Sequence, residues 1–121
     1  MRPSIAYLAC PYQHEDPIIK ALRLDIVTEV AALFHSKGQY VFSPLTHNHP
    51  LIQKGIAQTW DTWRHFDLEL LERCDKLLVL SLPGWEISKG VEAEITHANN
   101  LNIPIEFLKY CMEKKQLLHS F

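Results

Sequence analysis

Apolar residues are distributed along the chain in two alternating arrangements: short unbroken runs and longer stretches with helical spacing. Residues 5–10 form a run closed by Pro11, and a run of that length suits a buried strand better than a helix. Asp16 followed by Pro17 is a helix-start signal. Leu22, Ile26, Val30 and Leu33 then recur at helical spacing until Lys37 and Gly38 supply a cationic last turn and a terminating glycine. Residues 40–43 read as a second strand stopped by Pro44. The opening third is therefore a β-α-β unit, with a right-handed crossover and parallel strands.

The polar stretch 45–50, carrying Thr46, His47, Asn48 and His49, reads as a loop; a short helix can follow from Leu51, ahead of a longer helical run over 59–74. Residues 76–82 form the third strand, broken by Pro83, Gly84 and Trp85. A helix over 88–100 leads through Asn102 to a fourth strand at 104–108. The amphipathic tail 109–121 is compatible with a helix or with a partner-binding arm. No internal repeat or low-complexity segment is visible. Such alternation predicts an α/β fold: a three-layer α/β/α sandwich around a mainly parallel, flavodoxin-like sheet of four or five strands. Ligands of such sheets sit beyond the carboxyl ends of the strands.

A length of 121 residues without a linker or a shift in composition implies one domain over 1–121. With 47% hydrophobic and 21% charged residues, the chain can bury a modest core. Its net charge of -2 and scattered basic residues offer no footprint for a nucleic-acid backbone, which argues against polymeric DNA or RNA as a partner. Cys10, Cys74 and Cys111 are odd in number, far apart and without a CxxC pair. They suit neither a disulfide framework nor a zinc ribbon, and fit a reducing compartment. Residues 1–9 lack a signal-peptide pattern, and no stretch reaches the ~20 apolar residues of a membrane span. The expectation is a cytoplasmic protein with no membrane partner.

Two acids stand out against this pattern. Trp60, Trp63, Leu71 and Cys74 share the helical face of Asp67, seven and four residues before it and four and seven after. An acid in an apolar stripe is costly unless it is hydrogen-bonded, paired or open to a cavity; desolvation raises its pKa, which suits a general acid. The plainer reading is that Asp67 caps a loop or pairs with Arg23 or Arg64, since structural ion pairs also perturb pKa. Glu94 has Val91, Ile95 and Ala98 around it, on the side of the helix that must meet the sheet. Glu92, rotated roughly 200° about the same axis, faces solvent. Two inward carboxylates flanking strand 76–82 can converge at its carboxyl edge. Cleavage of a glycosidic bond requires such a pair: one protonates the leaving group, the other attacks or stabilises the cationic sugar. Ser88 and Gly90 leave free backbone N–H groups at the helix start, a place for an anion or a sugar hydroxyl, although serine is also an ordinary N-cap.

The strand end Tyr7-Leu8-Ala9-Cys10-Pro11, the segment Phe66-Asp67-Leu68-Glu69-Leu70-Leu71 with Cys74-Asp75, and Ser88-x-Gly90-x-x-x-Glu94-x-x-x-Ala98 together resemble the nucleoside 2-deoxyribosyltransferase superfamily in order and spacing. That superfamily includes the 2-deoxynucleoside 5-monophosphate N-glycosidases, and the likeness covers roughly residues 5–107. The resemblance implies that Glu94 is a nucleophile forming a covalent deoxyribosyl ester, that Asp67 protonates or orients the departing base, and that Tyr7 hydrogen-bonds and poises Glu94. Ser88 stands where the transferases have aspartate and the monophosphate-cleaving branch has serine, so it would contact the sugar or its phosphate. Gly90, Cys10 and Pro11 would be further substrate contacts.

Two features depart from the pattern. Residues 10–16 carry Gln13, His14, Glu15 and Asp16 where the monophosphate branch has a Gly- and Arg-rich loop, so an acidic loop would have to hold a phosphate. The stretches 43–50 and 83–85 resemble an uncharacterised bacterial and phage branch of the superfamily, for which fold and chemistry follow but not a substrate. His47 and His49 lack a third ligand at a recognisable spacing, so no metal is expected. They are instead candidates to contact base or sugar from the edge of the second strand. Trp60, Trp63 and Trp85 are core or interface residues in the plainer reading; Trp85, in a loop beside the site, is the best candidate to stack on a base.

The leading expectation is N-glycosidic cleavage or transfer on a (deoxy)nucleoside or nucleotide, with no cofactor and a small-molecule partner. A non-catalytic nucleotide-binding module is the alternative, supported by the acidic first loop. A third is a flavodoxin-like scaffold docking through residues 109–121. A homo-oligomer, dimer or larger, is expected in each case, because so small a sheet domain has little surface to enclose a ligand and relatives borrow residues from a neighbouring subunit.

Overall fold

The computed structural model describes residues 3–118. Its elements in chain order are β1 (Ile5–Ala9), α1 (Pro17–Ser36), β2 (Tyr40–Phe42), α2 (Pro44–Gln53), α3 (Trp60–Glu72), β3 (Lys76–Leu80), a 3-10 turn (Trp85–Ile87), α4 (Lys89–Asn100), β4 (Ile105–Leu108), β5 (Tyr110–Cys111) and β6 (Gln116–Leu117). The first four strands form a parallel sheet of order β2-β1-β3-β4. Helices cover both faces, as the alternation of the sequence predicts for a flavodoxin-like α/β sandwich. The Asp75 carboxylate accepts from the Ile5 N–H at 2.7 Å, and the Asp75 N–H donates back to the Ile5 carbonyl at 2.7 Å, pinning the start of β1 beside β3.

Strand alternation divides the core in two. Ala6, Leu8, Leu78 and Leu80 pack on the α1 side, against Ile26, Val27, Val30 and Phe34. Tyr7, Ala9, Leu77 and Val79 point the other way, against Leu71 of α3 and Val91 and Ala98 of α4. β1 leads to α1 on one face and β3 leads to α4 on the other. The crevice beyond the carboxyl ends of these two central strands is therefore the topological switch point of the sheet.

Three expectations are corrected. Residues 45–50 are helical, because Ser43 caps α2 by accepting from the Thr46 N–H at 3.4 Å and Pro44 occupies the first turn, where its missing N–H costs nothing. Pro50 sits inside that helix. Secondly, the tail is neither a helix nor a free arm: β5 and β6 pair antiparallel, and Tyr110 and Leu117 pack on the α1-side core. Residues 119–121 of the tail, like Met1 and Arg2, lie outside the described residues. Thirdly, Leu22 and Leu33 are 39% and 41% exposed, since α1 meets the sheet through Arg23, Ile26, Val27, Val30 and Phe34 instead. Among the described residues no helix is long and apolar enough to cross a membrane.

Replacing Leu78, which is 1% exposed between the central strands and α1, by alanine is expected to cost about 2–5 kcal/mol in urea denaturation. Ile18→Ala, at a position 74% exposed, is expected to stay within about 0.5 kcal/mol of the parent.

Candidate active site

β1 delivers Tyr7 to the α3/α4 side of the sheet, where its phenol is wholly buried and donates a short hydrogen bond to Glu94 Oε2. Glu94 is there because α4, capped by Ser88, presents Val91, Glu94 and Ala98 to the sheet at offsets of three and seven. The carboxyl is 4% exposed, while Glu92 is exposed on the outer face.

Asp67, 6% exposed, comes from α3 on the same side of the sheet. Its partner is Asn48 of α2, whose Nδ2 donates to Asp67 Oδ1 at 3.1 Å, and not an arginine. Among the described residues no ion pair includes Asp67. Asn48 Oδ1 meets His47 Nδ1 at 2.8 Å, and the exposed His47 ring stacks on Phe66 at 5.4 Å. A polar chain thus runs from the surface through His47 and Asn48 to Asp67. Phe42, 5.8 Å from the Tyr7 ring and 5.6 Å from that of His47, closes the space between them.

Burial sets the protonation of this cluster. It pushes the Glu94 carboxyl up to about 8; the Tyr7 hydroxyl opposes the shift and the charge of Asp67 adds to it. Burial also pushes Asp67 up to about 6, against the lowering influence of the Asn48 amide and His47. Tyr7 lies well above its ordinary value, through burial first and then the charges of Glu94 and Asp67. Each carboxyl is thus felt at the same phenol. Of the two carboxyls, Glu94 is pushed up further.

The other candidate residues are less uniformly placed. Ser88 Oγ accepts from the Val91 N–H at 3.3 Å and so serves as the helix cap, the plainer of its two readings. Gly90 lies under Trp60, whose ring stands 3.5 Å from where a Cβ would be. Cys10 is buried with its thiol toward the Pro11 carbonyl at 3.4 Å, and burial raises it far above the ordinary thiol range. Pro11 is wholly buried.

His49 is not brought to the carboxyls. It lies roughly 200° around the helix from His47 and lines a separate groove of about 600 Å³ with Tyr12, Lys20, Thr28 and Gln58. Its buried Nδ1 has no hydrogen-bond partner among the described residues. Trp85 is not a free stacking platform either, since it packs on Phe107 at 5.2 Å and joins the α3/α4-side core. A second groove, of about 410 Å³, runs between α3 and α4 past Leu68 and Ala93; neither groove is lined by Tyr7, Asp67 or Glu94. Among the described residues no group of three or more His, Cys, Asp or Glu could hold a metal ion.

Sequence reasoning missed Asn48. The signal was present in Ser43-Pro44: once that pair is read as a helix start, Pro44 and Asn48 fall one turn apart on the buried face of α2.

A family model described as Domain of unknown function (DUF1937) matches residues 4–109. No curated protein matches the chain. Among solved structures, a 2-deoxyribosyltransferase from the psychrotolerant bacterium Bacillus psychrosaccharolyticus superposes with a TM-score of 0.64 at 22% identity, covering 88% of this chain and 72% of that one. A 2-desoxiribosyltransferase from Leishmania mexicana superposes at 0.59 and 17% identity, covering 98% and 80%. The chain shares the fold of these proteins.

Both carboxyls have folded-state pKa values raised above their ordinary ones, so the folded protein holds protons that the unfolded chain releases. Their contribution to stability is complete below about pH 4 and is lost as pH rises through about 6 for Asp67 and about 8 for Glu94. Thermal melts are expected to show a Tm falling between about pH 4.5 and about pH 8. Glu94→Gln, which keeps an acceptor for Tyr7 without a titrating proton, is expected to flatten most of that slope. A Tm that climbs over this range would contradict the assignment.

Proposed function

The chain belongs to the family described as Domain of unknown function (DUF1937), and from its buried carboxyl pair we propose that it is an enzyme cleaving or transferring the N-glycosidic bond of a (deoxy)nucleoside or nucleotide through a covalent glutamyl-sugar intermediate. The observation that carries the reading is the cluster itself: Glu94 and Asp67 from different helices, both buried, both felt by the Tyr7 phenol. The fold shared with two 2-deoxyribosyltransferases supports the choice of glycoside.

In the proposed reaction a Glu94 oxygen attacks the anomeric carbon as the bond from that carbon to the base nitrogen breaks. The electron pair of the broken bond leaves with the base, and Asp67 supplies its proton. Water, or the nitrogen of a second base, then displaces Glu94 with return of a proton to Asp67, so the configuration at the anomeric carbon is retained. Between about pH 6 and about pH 8 the two carboxyls hold one proton between them, the number this chemistry uses. In the free protein that proton favours Glu94. Positive charge developing on the sugar favours ionised Glu94 and moves the proton toward Asp67. Tyr7 steadies the Glu94 anion, and Asn48 holds Asp67 in place.

A binding module without catalysis is the second reading, favoured by the burial that keeps Glu94 neutral. The first reading also includes a homo-oligomer, dimer or larger. Light scattering on the purified protein tests that part.

Incubation with a panel of nucleosides and nucleotides is expected to release free base, detected by chromatography, and to leave a sugar adduct on Glu94 in intact-mass spectra. Binding of an intact nucleotide with no base release would favour the module instead. Glu94→Gln is expected to abolish both signals, and Glu92→Gln neither. Asp67→Asn is expected to slow release about 10²- to 10⁴-fold. For Tyr7→Phe the expected loss is about 10- to 100-fold, that of one hydrogen bond to a charged group.

The rate is expected to follow a bell, rising through about pH 6 and falling through about pH 8. In Asn48→Ala the lower limb should move upward, because the lost amide no longer stabilises the Asp67 anion. An unmoved limb would detach Asn48 from the chemistry.

A further inference from the structure

One buried charge at the switch-point crevice is left unused by this chemistry. Arg23, 8% exposed, leaves the sheet-facing side of α1 near Ile26 and Val27. Its Nη1 donates to the carbonyls of Tyr12 at 3.4 Å and Gln13 at 3.0 Å, and its Nη2 to that of Pro83 at 2.8 Å. The first two carbonyls belong to the segment leaving β1; the third belongs to the segment leaving β3. Among the described residues no ion pair includes Arg23.

A buried guanidinium without a counter-ion is costly unless its donors are satisfied. Neutral carbonyls from two loops do this only while those loops keep one spacing. Gly84, the residue after Pro83, is shaped to the same contact: its φ is +95°, and a Cβ there would stand 2.7 Å from Arg23 Nη2. Both segments lead to the candidate site. β1 carries Tyr7, and the chain beyond Gly84 runs through the 3-10 turn and Ser88 into the helix of Glu94.

We infer that Arg23 is a positioning residue that clamps the segment after β1 to the segment after β3, setting the width of the crevice through which a sugar reaches Glu94. The inference rests on the glycosidic reading of the site given above. A planar fork with donors aimed in two directions suits the task; an ammonium reaches one loop at a time.

Arg23→Met keeps the length of the stem and removes every donor. Its KM for base release is expected to rise at least about tenfold with kcat within about threefold, as for loss of charge-assisted bonds that act on binding alone. The pH limbs should stay where they are in the parent, because the carboxyls are untouched. Arg23→Lys is expected to fall between the two.

Gly84→Ala drives a methyl group into the guanidinium from the other loop and is expected to raise KM as well. It should add less in the Arg23→Met background than alone, which separates the broken clamp from the strain of alanine at this φ. An unchanged KM in folded Arg23→Met overturns the clamp, and so does a loss carried by kcat with displaced pH limbs. If Arg23→Met does not fold, Arg23→Lys carries the test, and a parent-like KM in it overturns the clamp.

If the parent releases no base from any substrate, the reading of the site fails while the clamp remains measurable. Amide hydrogen exchange in Arg23→Met is then expected to quicken at Tyr12, Gln13, Leu82, Gly84 and Trp85 and not in β1 or β3. Parent-like exchange in those two segments overturns the clamp.

Discussion

The structure depends on one buried contact, the hydrogen bond from the Tyr7 phenol to Glu94. An ionisable group at the centre of a helix face packed on a sheet would ordinarily be replaced by an aliphatic one, because desolvation penalises its charged form. Glu94 is tolerated there because the strand opposite presents a hydroxyl instead of another apolar side chain. The remaining penalty appears as the raised pKa values of both partners. Two elements far apart in sequence are thereby held in one relation: β1 cannot slip by a residue without turning Tyr7 to the other face of the sheet.

A second polar contact joins the cluster to the surface. α2 contributes Asn48 to Asp67 of α3, with His47 and the rings of Phe42 and Phe66 packed around it. At both carboxyls burial is the largest influence, opposed at Asp67 by the amide and imidazole and at Glu94 by the Tyr7 hydroxyl. The larger upward shift falls on Glu94, the residue proposed as nucleophile. Two carboxyls in sequence would not reveal this order, because it depends on depth and on neighbours that no spacing rule supplies.

The topology explains why the site and Arg23 share one edge. In the order β2-β1-β3-β4 the two central strands send their chains to opposite faces, leaving a crevice between their carboxyl ends. A guanidinium bridges the chain segments on either side of that crevice. Loops at such an edge carry no strand pairing to hold their spacing. A charge that needs carbonyls from both supplies the restraint.

Much of this was legible in the residues alone. Runs of five or so apolar residues alternating with helical stretches determined the α/β sandwich, since burial on both sheet faces demands continuous apolar strands and one-sided helices. The inward direction of Asp67 and Glu94 followed from helical geometry, because a helix has one periodicity and its apolar stripe names its buried side. The conformation of residues 45–50, the strand pairing of the tail and the separation of His47 from His49 did not follow. Polar content points to a loop, whereas a Ser-Pro start and burial of Pro44 and Asn48 make a helix. Partnerships across 19 and 87 residues, Asn48 with Asp67 and Tyr7 with Glu94, were decided only by the tertiary structure. Local periodicity determines which way a side chain points along its own element; what it meets there is set by how the elements pack.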